Sequence, residues 1–155
     1  MPSDVAARSE AWRVTVPIPR VLIVEDEVLV AMDLASVLQR HGYVVVGLAG
    51  SVTEALALVR KEEIDIALLD VNLGSKTVEP VANRLAERAI PFGLVTAYPS
   101  HIQPQSLRRR PCITKPFGTT EVTRLAARLV DEANGKATTK EMTRAVTAAL
   151  TAARV

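Results

Sequence analysis

Short apolar segments alternate with helical patterns five times along this chain. The apolar segments are too short for helices, and most are rich in β-branched residues or bounded by glycine or proline, which is typical of strands. They cover residues 21–24, 43–48, 64–69, 92–95 and 112–114. Strands that alternate with helices predict an α/β fold with a parallel sheet and helices on both of its faces. For five strands we expect the doubly wound order 2-1-3-4-5.

Helical periodicity marks the segments between and after the strands. The second helix begins at a capping box made by Ser51 and Glu54, and the third has Pro80 in its first turn. A short fourth helix is expected near residues 102–109. The apolar face of the first helix is formed by Val30, Ala31, Leu34, Val37 and Leu38. The apolar face of the fifth is formed by Val122, Leu125, Ala126 and Leu129.

The chain divides into three parts. Residues 1–19 are an N-terminal leader, in which Pro17 and Pro19 oppose a helix running into the first strand. Residues 20–133 form the domain, and residues 134–155 form a linker, beginning with "NGK", and a C-terminal amphipathic helix. The apolar face of this last helix consists of Met142, Ala145, Val146, Ala149, Leu150 and Ala153. A lone helix of this length is marginal in water, so we expect it to pack onto its own domain or onto a second copy in a weak homodimer.

Composition excludes several classes of partner. The formal net charge is only +2, and the one basic cluster, Arg108 to Arg110, is more typical of a solvated turn than of a nucleic-acid site. No segment approaches the roughly 18 apolar residues of a membrane span, and the leader lacks the apolar region of a secretory signal. The single cysteine, Cys112, suits a reducing cytosol and is expected to be a small buried hydrophobe. We therefore expect a cytoplasmic protein that binds neither nucleic acid nor membranes.

Three carboxylates stand at the ends of two neighbouring strands. Glu25 and Asp26 follow the first strand directly, and Asp70 ends the third. In a doubly wound sheet these strand ends meet where the winding reverses, which is where ligands bind. Clustered carboxylates repel one another unless a cation neutralises them. Hard oxygen ligands in an open site suit Mg²⁺, so we expect a magnesium site there.

A hydroxyl and a cation are predicted at the same edge of the sheet. Thr96 ends the fourth strand in "LVTAYP", and Lys115 ends the fifth in "ITKPF". A metal, a nucleophilic carboxylate, a hydroxyl donor and a lysine are the groups that phosphoryl transfer onto a carboxylate requires. Singly, Thr96 is also compatible with a helix N-cap and Lys115 with an exposed loop cation.

This combination resembles the receiver domain of two-component response regulators, over roughly residues 20 to 133. The resemblance implies a flavodoxin-like fold in which Glu25 and Asp26 form the acidic pair and Asp70 is the phosphoacceptor. It also implies that Mg²⁺ is bound by this acidic cluster together with the backbone carbonyl of Asn72.

The resemblance extends to the switch residues, with one departure. Thr96 matches the switch hydroxyl, Lys115 the invariant lysine, and Pro116 the following proline, whose peptide bond is usually cis. Most receivers carry an aromatic residue three positions before the lysine, where this chain has Cys112. Tyr98 is the expected substitute, because "LVTAYPS" is similar to the Phe-Ala-Thr-Gly-Tyr motif of single-domain receivers that are often linked to HWE or related kinases.

The resemblance implies a single-domain receiver phosphorylated by a sensor histidine kinase or a histidine phosphotransfer protein. It is expected to act through phosphorylation-dependent contact with a downstream protein, or by draining phosphoryl groups from a kinase. The alternative is a receiver-like binding module that works without phosphorylation, although such modules usually lack an acid or the lysine. We do not expect a turnover enzyme, since a haloacid dehalogenase needs a second Asp where this chain has Asn72.

Overall fold

The computed structural model describes residues 17–98 and 100–153. The strands of its main sheet are β1 (Arg20–Val24), β2 (Val44–Ala49), β3 (Ile66–Leu69), β6 (Phe92–Thr96) and β7 (Cys112–Thr114). They are parallel and lie in the order β2-β1-β3-β6-β7. Since β6 and β7 are the predicted fourth and fifth strands, this confirms the predicted order 2-1-3-4-5. A small antiparallel hairpin of β4 (Asn72–Leu73) and β5 (Lys76–Thr77) was not predicted.

Helices cover both faces of this sheet, as the strand pattern predicts. The α-helices in the described part of the chain are α1 (Val28–Arg40), α2 (Val52–Lys61), α3 (Glu79–Glu87) and α4 (Thr119–Ala152). Successive side chains of a strand point to opposite faces, so Leu22 and Val24 pack with α2 and α3 while Val21 and Ile23 pack with α1 and α4. The sheet therefore has a core on each side and leaves its carboxyl edge for the site.

The connection between β6 and β7 contains no α-helix among its described residues, so the prediction of a fourth helix near 102–109 is wrong. A 3₁₀-helix, Ser100–Ile102, is followed by turns. Pro104 interrupts the segment, and among its residues with described side chains Leu107 is the only buried apolar one. One buried residue gives no apolar stripe that would hold a helix against the sheet.

Helix α4 runs without a break through the segment predicted as a linker, so the predicted linker at "NGK" is also wrong. A helix-interior glycine such as Gly135 costs roughly 1 kcal/mol relative to alanine, which weakens a helix without ending it. Every described side chain from residue 134 to residue 153 is exposed. The expectation that this segment packs onto its own domain is therefore wrong for the described chain, and packing onto a second copy stays a prediction. Across residues 17–98 and 100–153, no helix combines the length and apolar content that crossing a membrane requires.

Candidate functional site

The carboxyl edge of the sheet brings three acidic side chains together. The register of the parallel strands fixes them, because the Asp70 N–H donates to the Val24 carbonyl at 2.8 Å and the Glu25 N–H donates to the Ala49 carbonyl at 2.8 Å. One carboxylate oxygen from each of Glu25, Asp26 and Asp70 lies within 4.8 Å of the other two. The sequence placed these residues at strand ends, and the fold makes them neighbours.

Lys115 reaches this acidic cluster from the edge strand β7. Its backbone N–H donates to the Thr96 carbonyl at 2.9 Å, and the Lys115–Pro116 peptide bond is cis, the isomer that the resemblance implies. The Lys115 ammonium lies 2.8 Å from Glu25 Oε2, 3.0 Å from Asp70 Oδ2 and 3.2 Å from Glu27 Oε1. One cation therefore pairs with three carboxylates.

Burial gives Glu25 unusual protonation chemistry. Its residue is only 3% exposed, and this burial raises the pKa of Glu25 to about 7, against the lowering effect of Lys115 and of the Glu27 N–H; the charge of Asp70 raises the pKa further. Burial by itself lowers the pKa of Lys115, but hydrogen bonds to Glu25 and Asp70 outweigh it and raise that pKa. A bound cation would favour the ionised form of the carboxylates.

The donor set fits a magnesium ion. An open cleft of about 360 Å³ is lined by Asp26, Glu27, Asp70, Asn72, Gly74, Ala97, Tyr98 and Lys115. Asp26 is exposed at this cleft and accepts the Gly74 N–H at 2.9 Å. Mg²⁺ takes one or two carboxylates and keeps several waters, and an open cleft with oxygen donors leaves room for both.

The predicted switch residues lie beside the cleft. Thr96 is completely buried, and its Oγ1 accepts the Tyr98 N–H at 3.2 Å. Tyr98 is half-exposed. Cys112 is exposed, so the expectation of a buried small hydrophobe is wrong. The physical reason is that β7 is the edge strand and no helix from the β6–β7 connection covers it.

The sequence analysis missed Glu27, which lines the cleft, and Gln103, which lies outside it and contacts Tyr98. Glu27 follows the acidic pair directly, and its proximity to Asp26 in the sequence was the available signal. Gln103 is a buried residue of the β6–β7 connection, and its side-chain amide donates to the Tyr98 carbonyl. No periodicity or motif marks Gln103, because its burial depends on how an irregular segment folds back.

Sheet order, strand-end acids and the lysine together define a receiver-type domain. The family model of the response regulator receiver domain matches residues 21–127, and the chain belongs to that family.

Two curated regulators are similar to part of the chain. PdtaR, a transcriptional regulatory protein of Mycobacterium tuberculosis, is 39% identical over 80 residues, which is 51% of this chain and 39% of PdtaR. The phyllosphere-induced regulator PhyR of Methylorubrum extorquens is 32% identical over 113 residues, which is 70% of this chain and 42% of PhyR. The chain thus spans less than half the length of these relatives.

Two solved structures are similar in fold. The solution structure of SdrG from Sphingomonas melonis Fr1 superposes with a TM-score of 0.66 at 40% identity, covering 73% of this chain and 97% of SdrG. A CheY-like receiver domain from Methanospirillum hungatei superposes with a TM-score of 0.69 over 77% of this chain and 99% of its own. At 22% identity the second likeness concerns the fold alone.

Proposed function

We propose that this chain is a phosphorylation-dependent switch in which Asp70 receives a phosphoryl group from a sensor histidine kinase or a histidine phosphotransfer protein. The observation that carries the proposal is the placement of Asp70 between Lys115 and an open acidic cleft. Asp70 Oδ2 lies 3.0 Å from the Lys115 ammonium, while Asp70 also lines the cleft together with Asp26 and Asn72. A nucleophile held beside a cation at the wall of an open cleft can accept a group from another protein.

The chemistry is an in-line displacement. An Asp70 carboxylate oxygen attacks the phosphorus of the phosphohistidine, a phosphorus–oxygen bond forms, and the phosphorus–nitrogen bond breaks with its electron pair left on the imidazole. The Lys115 ammonium neutralises phosphoryl oxygen charge. We expect the Asp26 and Asp70 side chains and the Asn72 carbonyl to hold Mg²⁺, with Glu25 behind them. When bound, that ion supplies further charge neutralisation.

The output is contact with another protein. Thr96 ends the strand that pairs with the one leading into Asp70, and the half-exposed Tyr98 lines the same cleft as Asp70, so a change at Asp70 has a short route to the surface. A downstream protein, still to be identified, would bind one state of this surface, or the chain would drain phosphoryl groups from a kinase. We propose no nucleic-acid or membrane partner, a cytoplasmic location, and a weak homodimer through the exposed end of α4.

Intact mass spectrometry with acetyl phosphate and Mg²⁺ tests the proposal. The wild-type chain should gain one phosphoryl group, Asp70→Asn should gain none, and omission of Mg²⁺ should abolish the gain. Asp131→Asn, on an exposed aspartate of α4, is the matched control and should be phosphorylated normally. Full phosphorylation of the Asp70→Asn protein at another residue would overturn the assignment and favour a binding module that does not use Asp70.

A further inference from the structure

Gln103 is a buried polar residue in the irregular segment that connects β6 and β7. The residue is 3% exposed. Its Nε2 donates to the Tyr98 carbonyl at 3.2 Å and to Cys112 Sγ at 3.7 Å. Its Oε1 is buried and has no hydrogen-bond partner among the described residues. One amide therefore joins the loop after β6 to the edge strand β7, with an acceptor left over.

The free Oε1 argues that packing alone does not explain this side chain. A buried acceptor without a partner is unfavourable, and an apolar side chain of similar size would avoid that loss. The stabilising contribution of Gln103 lies in the link from Tyr98 to Cys112. This link ends at Cys112, the position where most receivers carry an aromatic ring.

The Tyr98 backbone is held from both sides. Its N–H donates to Thr96 Oγ1 at 3.2 Å, and its carbonyl accepts from Gln103. If the Thr96 side chain moves so that its hydroxyl donates to a phosphoryl oxygen on Asp70, Oγ1 moves away from the Tyr98 N–H, which then loses its acceptor. A charge-assisted bond to the phosphoryl group is strong enough to favour that exchange. The Gln103 amide, with its unused acceptor, already contacts the carbonyl of the same residue.

We propose that Gln103 is a positioning residue that couples phosphorylation of Asp70 to the segment between β6 and β7. Its Nε2 bond holds the Tyr98 backbone in the arrangement that goes with unmodified Asp70. Once Thr96 has moved, the free Oε1 is an acceptor near the Tyr98 backbone and allows that backbone a second arrangement. Through the contact with Cys112 Sγ, the same rearrangement reaches the edge strand. This inference rests on the proposed function, because it needs phosphorylation at Asp70.

Cys112 is a built-in reporter for this coupling, since it is exposed and is the only cysteine of the chain. We would measure its alkylation rate by iodoacetamide with and without beryllium fluoride and Mg²⁺, which mimic the phosphoryl group on an aspartate. Burial raises the pKa of the Cys112 thiol, and the hydrogen bond from Gln103 lowers it. Replacing Gln103 therefore changes the absolute alkylation rate, so the ratio of the two rates is the readout. The wild-type ratio should differ from one by severalfold.

In Gln103→Leu the ratio should fall to about one while acetyl phosphate still labels Asp70 fully. Gln105→Leu, the same change on an exposed residue of the same segment, should keep the wild-type ratio. Gln103→Met replaces the leucine variant if that one does not fold. A purely structural role for Gln103 would leave the ratio unchanged.

The amide NMR signal of Tyr98 provides a second readout. It should shift on beryllium fluoride binding in the wild-type chain and shift less in Gln103→Leu. A wild-type ratio of one, or an unchanged ratio in Gln103→Leu, overturns the inference while leaving phosphorylation standing. Absence of Asp70 phosphorylation in the wild-type chain instead overturns the proposed function itself, so the two failures are distinguishable.

Discussion

At the scale of single residues, burial separates two carboxylates that are adjacent in the sequence. Glu25 is almost fully buried and pairs with Lys115 at 2.8 Å, and it is not among the residues that line the cleft. Asp26 is exposed and lines the cleft. Adjacent residues cannot direct both side chains identically into one small octahedral shell. We therefore expect Asp26 to bind Mg²⁺ directly and Glu25 to hold a metal-bound water.

Alanine substitutions should separate these two roles. Replacing an outer-shell partner of a metal typically costs about 10–100-fold in affinity, so Glu25→Ala should weaken Mg²⁺ binding within that range. Asp26→Ala should weaken it more, because a direct ligand is lost. Isothermal titration with Mg²⁺ measures both, and Asp33→Ala on the exposed side of α1 is the control. Equal losses in the two variants, or a larger loss in Glu25→Ala, would contradict this division of roles.

At the scale of elements, the missing helix between β6 and β7 changes how a signal reaches the surface. The segment is anchored by Leu107 and Gln103, both buried, rather than by a helix face. Ser106 Oγ also donates to Glu79 Oε2 of α3 at 2.7 Å. Because few contacts hold an irregular segment, moving one anchor shifts the chain locally instead of displacing a rigid helix. Tyr98 lies at the start of this segment.

We predict that Tyr98→Ala is phosphorylated normally but no longer discriminates between the two states in partner binding. A shift between states requires a contact made differently in each, and the half-exposed Tyr98 ring is the side chain that movement of Thr96 displaces. Pull-down of a cognate partner with phosphorylated and unphosphorylated protein should give a binding ratio near one. Ile102→Ala, an exposed apolar change in the same segment, should keep the wild-type ratio. A preserved ratio in Tyr98→Ala would mean that the ring only fills space.

The beginning of α1 exposes apolar side chains beside the phosphorylation site. Leu29 is 82% exposed, and Val28 and Met32 are also largely exposed. Leu29 lines a cleft of about 460 Å³ that also includes Glu27, Lys115 and Phe117. An apolar surface next to the residue that must meet a phosphohistidine is suited to docking the donor protein.

Leu29→Ala should therefore slow phosphotransfer from the cognate histidine-phosphorylated protein by roughly tenfold or more, since burying a leucine contributes about 1.5–3 kcal/mol. Labelling by acetyl phosphate, which needs no docking surface, should be unchanged. Ile18→Ala removes an exposed apolar side chain away from the site and should affect neither reaction. Equal slowing with both donors would place Leu29 in the chemistry rather than in docking.

The elements that could be predicted from the sequence are those that a local pattern determines. Val21 to Val24 formed a short apolar segment, and its strand placed Glu25 and Asp26 at the carboxyl edge. The helix near 102–109 was predicted wrongly, because that segment has no clear helical pattern of its own. Gln103 was missed because its burial follows from tertiary folding. The exposure of Cys112 depends in turn on that missing helix.

At the scale of the whole molecule, helix α4 carries two apolar faces that point in roughly opposite directions. Its first half packs on the sheet through Val122, Leu125, Ala126 and Leu129. From Ala126 to Met142 the helix makes about four and a half turns, and from Leu129 to Ala149 about five and a half. The extra half turn in each interval puts the later residue on the opposite side of the helix. The apolar face near its end therefore points away from its own domain. A continuous helix cannot turn that face back onto the sheet.

The exposed half of α4 is poorly equipped to remain helical alone. It contains Gly135 and several threonines, and threonine has low helix propensity. Hydroxyls of Thr138, Thr139 and Thr143 donate to carbonyls four residues earlier, a pattern that slightly destabilises helices. Burial against another helix is the usual source of helix stability. The spacing of Met142, Val146, Ala149 and Ala153 alternates between four and three residues, as in a coiled-coil seam.

Removing residues 137–155 should therefore abolish self-association and leave phosphorylation by acetyl phosphate intact. The seam carries no charged residue, so a second copy meets no like-charge repulsion there, but its alanines bury little area and the homodimer should be weak. Sedimentation velocity at increasing concentration should show association for the full chain and only monomer for the truncated one.

Val146→Asp places a charge in the seam and should match the truncation. Thr147→Asp places the same charge outside the seam and should associate normally. If the full chain stays monomeric at every concentration, or if both aspartate variants associate alike, the second-copy packing of α4 is wrong.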